Sequence, residues 1–198
     1  SPYRSILDVM EVLKKDPGSL KIGGTSSVWS MDHVQFLEVA RAAGVTGLDQ
    51  IVYEGYENGG AVSSLMGGRI DVLSAGASDV MGLMESGDLR VLAVTADKRL
   101  ENRLMAEIPT CMEEGIDVEF SNWRGLFGPA DMPDYALDYW ETTLREMAET
   151  EMWKDTCSRY GWKEDFQGHE EFEKFLDEMN EDYRELLEEV RGLEPAVP

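Results

Sequence analysis

A chain of 198 residues with 42% hydrophobic side chains can bury one good core, or two small ones joined by a crossover. Its 40 acidic residues against 18 Lys and Arg give a formal charge of −22, which excludes nucleic acid, whose phosphates are held by clustered cations, and disfavours anionic membrane surfaces. No apolar run approaches the roughly 18 residues that span a bilayer, and SPYRSILDVM has neither the basic start nor the apolar centre of an export signal, so any such signal is expected outside this chain.

In chain order, Ile6, Val9, Met10 and Leu13 recur at helical spacing within Ser5 to Lys15, and Asp16-Pro17-Gly18 stops that helix. Leu20 to Gly23 reads as a strand, Gly24 to Ser27 as a small polar loop, and Ser30 to Ala43 as a helix. Gln50 to Tyr53 is a second strand. Gly59-Gly60 opens a helix that ends at Gly67-Gly68, where a left-handed glycine cap is expected. Ile70 to Ser74 is a third strand, Val80 to Glu85 a short helix, and Leu89 to Thr95 a strand apolar enough to be buried on both faces. Strands alternating with helices predict an α/β lobe with a mainly parallel sheet.

Val118 to Phe127 looks extended, and beyond Pro129 and Pro133 the character changes to acidic helices over Ala136 to Ala148, Glu151 to Tyr160 and Glu170 to Arg191. From Asp131 onward 21 acids face 7 Lys and Arg, which marks solvated helix faces rather than paired catalytic carboxylates. In the longest helix Phe172, Phe175, Leu176, Met179, Tyr183, Leu186, Leu187 and Val190 form one narrow apolar face, a core stripe.

Chemistry is sparse. Cys111 and Cys157 lack the paired spacing of a zinc or redox site and are expected to be free, mostly buried thiols; with only His33 and His169, no multi-histidine metal centre is available. GGTSSVWS, Gly23 to Ser30, places small hydroxyl residues and unpaired backbone N–H groups at a helix start, which suits a carboxylate. Ordinary N-capping by Ser27 or Ser30 explains the same residues. The loop is neither a Walker loop nor GxGxxG. Ser26, Ser27, Ser30 and His33 lack a GxSxG turn and an orienting acid, so no catalytic residue is assigned. Tyr53 is positioned to present a phenol at the carboxyl end of the sheet, or to be a half-buried strand tyrosine. The loop Ser74 to Ser78 is small enough for close packing or for ligand approach. Asp71 in GGRID is expected to anchor a turn.

The order SPYRS from Ser1, DPG from Asp16, GGTSSVWSMDH from Gly23, IVYEG from Ile51, LMGGRID from Leu65, VLAVTADKR from Val91, IPTCMEEG from Ile108 and WRGLFGPADMP from Trp123 resembles the solute-binding proteins of the tripartite tricarboxylate transporters, the TctC and Bug proteins. Val52, Glu54 and Asp131 stand where that pattern usually has proline, lysine and glycine. The resemblance implies a type II periplasmic-binding-protein-like α/β fold. Ser1 to about Phe120 would be the second, near-complete lobe, and 121–198 the crossover and helical C-terminal part of the first lobe. The opening segment of that first lobe, whose glycine-rich loop forms the opposite wall of the cleft, would precede Ser1. An incomplete lobe implies a chain that dimerises or exchanges elements.

The function so implied is not enzymatic. It is an extracytoplasmic, periplasmic binding protein that captures a small organic carboxylate for membrane permease subunits, with no cofactor, no metal and no nucleic acid. Thr25, Ser26, Ser27, Tyr53, Gly76, Ala77 and Ser78 would form one wall of the site. Closure between lobes would exclude water and strengthen those neutral donors. The alternative is a LysR-type effector-binding regulatory domain, which shares the two-lobed architecture.

Overall fold

A computed structural model describes residues 1–57 and 59–191; residues 192–198 of the expected second domain lie outside the described residues. α1 (Ile6–Lys15) starts at Ser5, whose Oγ accepts from Asp8 N at 3.3 Å while Asp8 Oδ2 accepts from Ser5 N at 3.1 Å, a reciprocal cap. Its four predicted apolar residues are all buried. There follow β1 (Lys21–Gly24), α2 (Met31–Ala42), β2 (Val52–Gly55), α3 (Ala61–Met66), β3 (Val72–Ser74) and α4 (Ala77–Glu85). The sheet is parallel with order β2-β1-β3, and its register sets Gly24 beside both Gly55 and Ser74. All three strands therefore end on one edge. The core joins Met10 and Leu13 of α1, Ile22 of β1 and Leu37 of α2 to Leu186 and Val190.

Several boundaries move for local reasons. A 3-10 turn at Leu48–Gln50, opened by Gly47 at φ 74°, delays β2 to Val52 and carries it to Gly55. Ile70 and Asp71 precede β3. There Asp71 Oδ2 accepts from Lys21 N at 2.9 Å, a tie across to the start of β1 rather than the turn anchor expected of it. Gly68 takes the left-handed cap at φ 68°.

Leu89 to Thr95 is not a strand of this sheet, and its residues from Val91 onward are only partly buried. Val94 makes one isolated parallel bridge to Thr110, through Val94 N to Pro109 O at 3.0 Å and Cys111 N to Val94 O at 2.9 Å. Extending this ladder toward Leu92 would require an N–H on Pro109, which proline lacks.

The chain divides into two compact units, Ser1–Asn122 with Tyr183–Pro198, and Trp123–Asp182. The second holds α5 (Asp134–Ala148), α6 (Glu151–Tyr160) and the first part of α7 (His169–Arg191). Within it the Trp123 ring meets Phe172 at 5.3 Å and Phe175 at 6.2 Å, edge to face. A Cβ on Gly125 would collide with the Phe172 ring, so the WRGLF pattern is a packing device. No helix among the described residues is long and apolar enough to cross a membrane.

Candidate functional site

The register that ends β1, β2 and β3 together opens the loops after them on one edge of the sheet, where open α/β sheets bind ligands. α2 and α4 start on the same edge, each after a parallel strand, and present unpaired N–H groups and the positive ends of their dipoles there. Thr25, Ser26 and Ser27 follow β1, which lies centrally. They are partly buried.

Both donors of Thr25 and the hydroxyl of Ser26 are already engaged. Thr25 N, Thr25 Oγ1 and Ser26 Oγ all donate to Asp32 Oδ2, at 2.8, 2.8 and 2.9 Å. Asp32 is the second residue of α2 and only 5% exposed. Its carbonyl accepts from Ser74 Oγ at 2.7 Å, and Ser74 Oγ in turn accepts from Gln35 Nε2 at 3.1 Å, so the end of β3 is tied to the start of α2. Sequence reasoning passed over Asp32. The signal was an acid in the first helical turn beside a Thr-Ser-Ser loop, but its partner set is tertiary.

Tyr53 lies beneath the loop. Its hydroxyl donates to Ser26 O at 3.2 Å. Burial, opposed by the Ser26 bond and reinforced by the Asp32 charge, pushes the phenol up to about 12. His33 is 5% exposed, stacks on Tyr53, and accepts from Trp29 N at Nδ1, 3.1 Å. Burial lowers it to about 4, which makes it a neutral imidazole with its proton on Nε2. Ser26 Oγ is taken by Asp32, and Ser30 Oγ donates to Ser27 O at 2.6 Å, so neither hydroxyl is bonded to His33.

Trp29 was also missed. It is the third residue of a Ser27–Ser30 turn and has φ 69°, a place that glycine usually fills, at a cost of about 1–2 kcal/mol. The bond to His33, the contact of the two rings at 5.0 Å and the Arg191 guanidinium 4.4 Å from the Trp29 ring centroid hold it there. The neighbouring depression, walled by Val28, Trp29, His33 and Tyr53, measures about 180 Å³. That is below the usual range for a small-molecule pocket, so it is not a complete site by itself.

Gly76, Ala77 and Ser78 reach this edge through β3, but Ala77 and Ser78 are the first turn of α4 rather than a loop. Gly76 precedes them in extended conformation as the N-cap. Among the described residues no hydrogen bond joins them to Thr25, Ser26 or Ser27. The residues 25–30, 56–60 and 75–79 include no Lys or Arg, so the donors of these segments are N–H and hydroxyl groups, and Arg191, over the Trp29 ring, is a cation brought to the loop from α7. Among the described residues no group of three or more His, Cys, Asp or Glu could hold a metal ion.

The model of the TctC family, the tripartite tricarboxylate transporter family receptor, matches residues 1–192. A UPF0065 protein from the TAR-I ttuE-ttuC' intergenic region of Agrobacterium vitis is 27% identical over 133 residues, 66% of this chain and 36% of that protein. Among solved structures, a TctC solute binding protein from Polaromonas superposes with a TM-score of 0.72 at 20% identity, over 94% of this chain and 62% of that one. R. palustris Rpa4515 with adipate gives 0.74 at 20% identity, over 96% and 62%. The fold is therefore periplasmic-binding-protein-like, and the chain spans about 62% of the length of these structures.

Proposed function

The chain belongs to the tripartite tricarboxylate transporter receptor family, and from that membership we propose that it captures a small organic carboxylate outside the cytoplasm, in the periplasm, and delivers it to the transporter's membrane permease subunits. The observation that carries this is the common carboxyl edge of the sheet, where the loop after β1 and the starts of α2 and α4 converge. Thr25, Ser26 and Ser27 with Gly76, Ala77 and Ser78 form the wall, and Tyr53 braces it from below. Helix starts and small residues favour an anion without needing arginine. An acid bound to a relative of the same fold supports the ligand class. Membership favours a receptor over the regulatory-domain alternative.

The test is a thermal-shift screen of succinate, adipate, citrate, glutamate and benzoate, on this chain and on a protein of its relatives' length. A bound acid raises the midpoint with its concentration, as mass action requires. If no acid shifts either protein, the carboxylate assignment fails.

A further inference from the structure

We infer that Asp32 is a positioning residue of this site: it, and not the ligand, is the partner of the Thr25 N–H and hydroxyl and of the Ser26 hydroxyl, and it thereby holds the Ser26–Val28 backbone ready for the ligand's carboxylate. The inference rests on the solute-binding proposal and narrows which donors the ligand meets. Three donors converge on the single atom Asp32 Oδ2 within 2.9 Å. Hydrogen bonds to a charged acceptor are about twice as strong as neutral ones. Asp32 also sits at the favourable end of the α2 dipole.

A ligand that took these donors would strand a buried carboxylate, which is strongly unfavourable. Asp32 stays, and the hydroxyls of Thr25 and Ser26 act through it. The surroundings are built for that arrangement. A Cβ on Gly24 would lie 2.8 Å from Asp32 Cβ, and the Asp32 carbonyl is fastened to Ser74. Beyond the clamp, Ser26 N, Ser27 N, Val28 N and Ser27 Oγ have no donor hydrogen bond to another group among the described residues. These are the donors that the β1–α2 loop leaves for a ligand carboxylate.

The test is a double-mutant cycle of Thr25→Val with Asp32→Ala, read as the affinity for the tightest-binding of the five acids named above and as the exchange rate of the Thr25 amide. If the hydroxyl acts through Asp32, Thr25→Val weakens binding in the wild type and adds less than twofold in Asp32→Ala. Asp32→Asn, which keeps an acceptor oxygen, stays within threefold of wild type, whereas Asp32→Ala loses at least tenfold. Equal losses from Thr25→Val in both backgrounds place the hydroxyl on the ligand and overturn the inference. Should Asp32→Ala not fold, Asp32→Leu, close in shape to aspartate but without an acceptor, replaces it in the cycle. There the loss from Thr25→Val shrinks if its partner is residue 32 and is unchanged if its partner is the acid. If none of the acids binds, the functional proposal fails and amide exchange decides this one alone. A Thr25 amide protected in wild type and at least tenfold faster in the residue 32 variant supports the clamp, and an unchanged rate overturns it.

Discussion

His33 lies flat against Tyr53, ring centroids 4.2 Å apart and planes 28° from parallel, while its Nδ1 takes the backbone N–H of Trp29. One buried imidazole thus connects the strained turn of the candidate loop to the strand beneath it. Its only available proton change is an unfavourable one.

The two histidines should titrate far apart. His33 is held near 4 by burial, whereas Glu141 raises His169 above the ordinary value, so one proton NMR titration should resolve both. The linkage sign for His33 follows. Above about pH 6.5 it is neutral in both folded and unfolded chains. Between 6.5 and 4 the unfolded chain binds a proton that the folded one does not, so its contribution to stability falls by up to about 3 kcal/mol as pH drops. Denaturant midpoints measured across that window should show this slope, and His33→Gln should flatten it. A His33 resonance titrating at 6.5 would contradict the burial.

Glu141 of α5 accepts from His169 N at 3.0 Å, from the His169 ring and from Arg145, and these bonds lower its carboxyl to about 2. The same carboxylate therefore caps α7 from another helix. Glu141→Gln should return His169 toward 6.5 and speed amide exchange in the first turn of α7. Unchanged values in both measurements would remove the cap.

Gly55→Ala should cost about 1–3 kcal/mol, because the added Cβ would sit 2.6 Å from Ser26 O and 3.0 Å from Ser27 Cα, both backbone atoms of the candidate loop. Gly82→Ala is the control: nothing lies within 4 Å, and inside α4 the alanine should stabilise by about 0.5–1 kcal/mol. Urea unfolding of the pair checks both signs.

Cys111 and Cys157 are free and buried, and burial with the nearby Glu114 charge pushes the Cys111 thiol up to about 11. Ellman's reagent at pH 8 should react slowly with the native protein and rapidly with both thiols in guanidinium. Fast native reaction would mean that these sites open readily.

The amphipathic α1, the alternation of strand and helix through α4, the long acidic α7 and the family's motif order were all legible in the amino-acid sequence. Each is set by residues near one another in the chain: the Ser5 cap, the spacing of Ile6, Val9, Met10 and Leu13, the glycines at 67 and 68. The same local logic marked Gly23 to Ser30 as able to hold a carboxylate. Only the tertiary structure decided whose carboxylate engages its Thr25 and Ser26 donors, because Asp32 reaches them after the first turn of α2 has formed. It also decided that Tyr53 turns its hydroxyl to Ser26, since β2 pairs with β1 in a register that the sequence does not display. The apolar run at Leu89 to Thr95 shows the converse. Its composition is that of a buried strand, but a strand needs a partner with an N–H at each rung, and at Pro109 the partner has none.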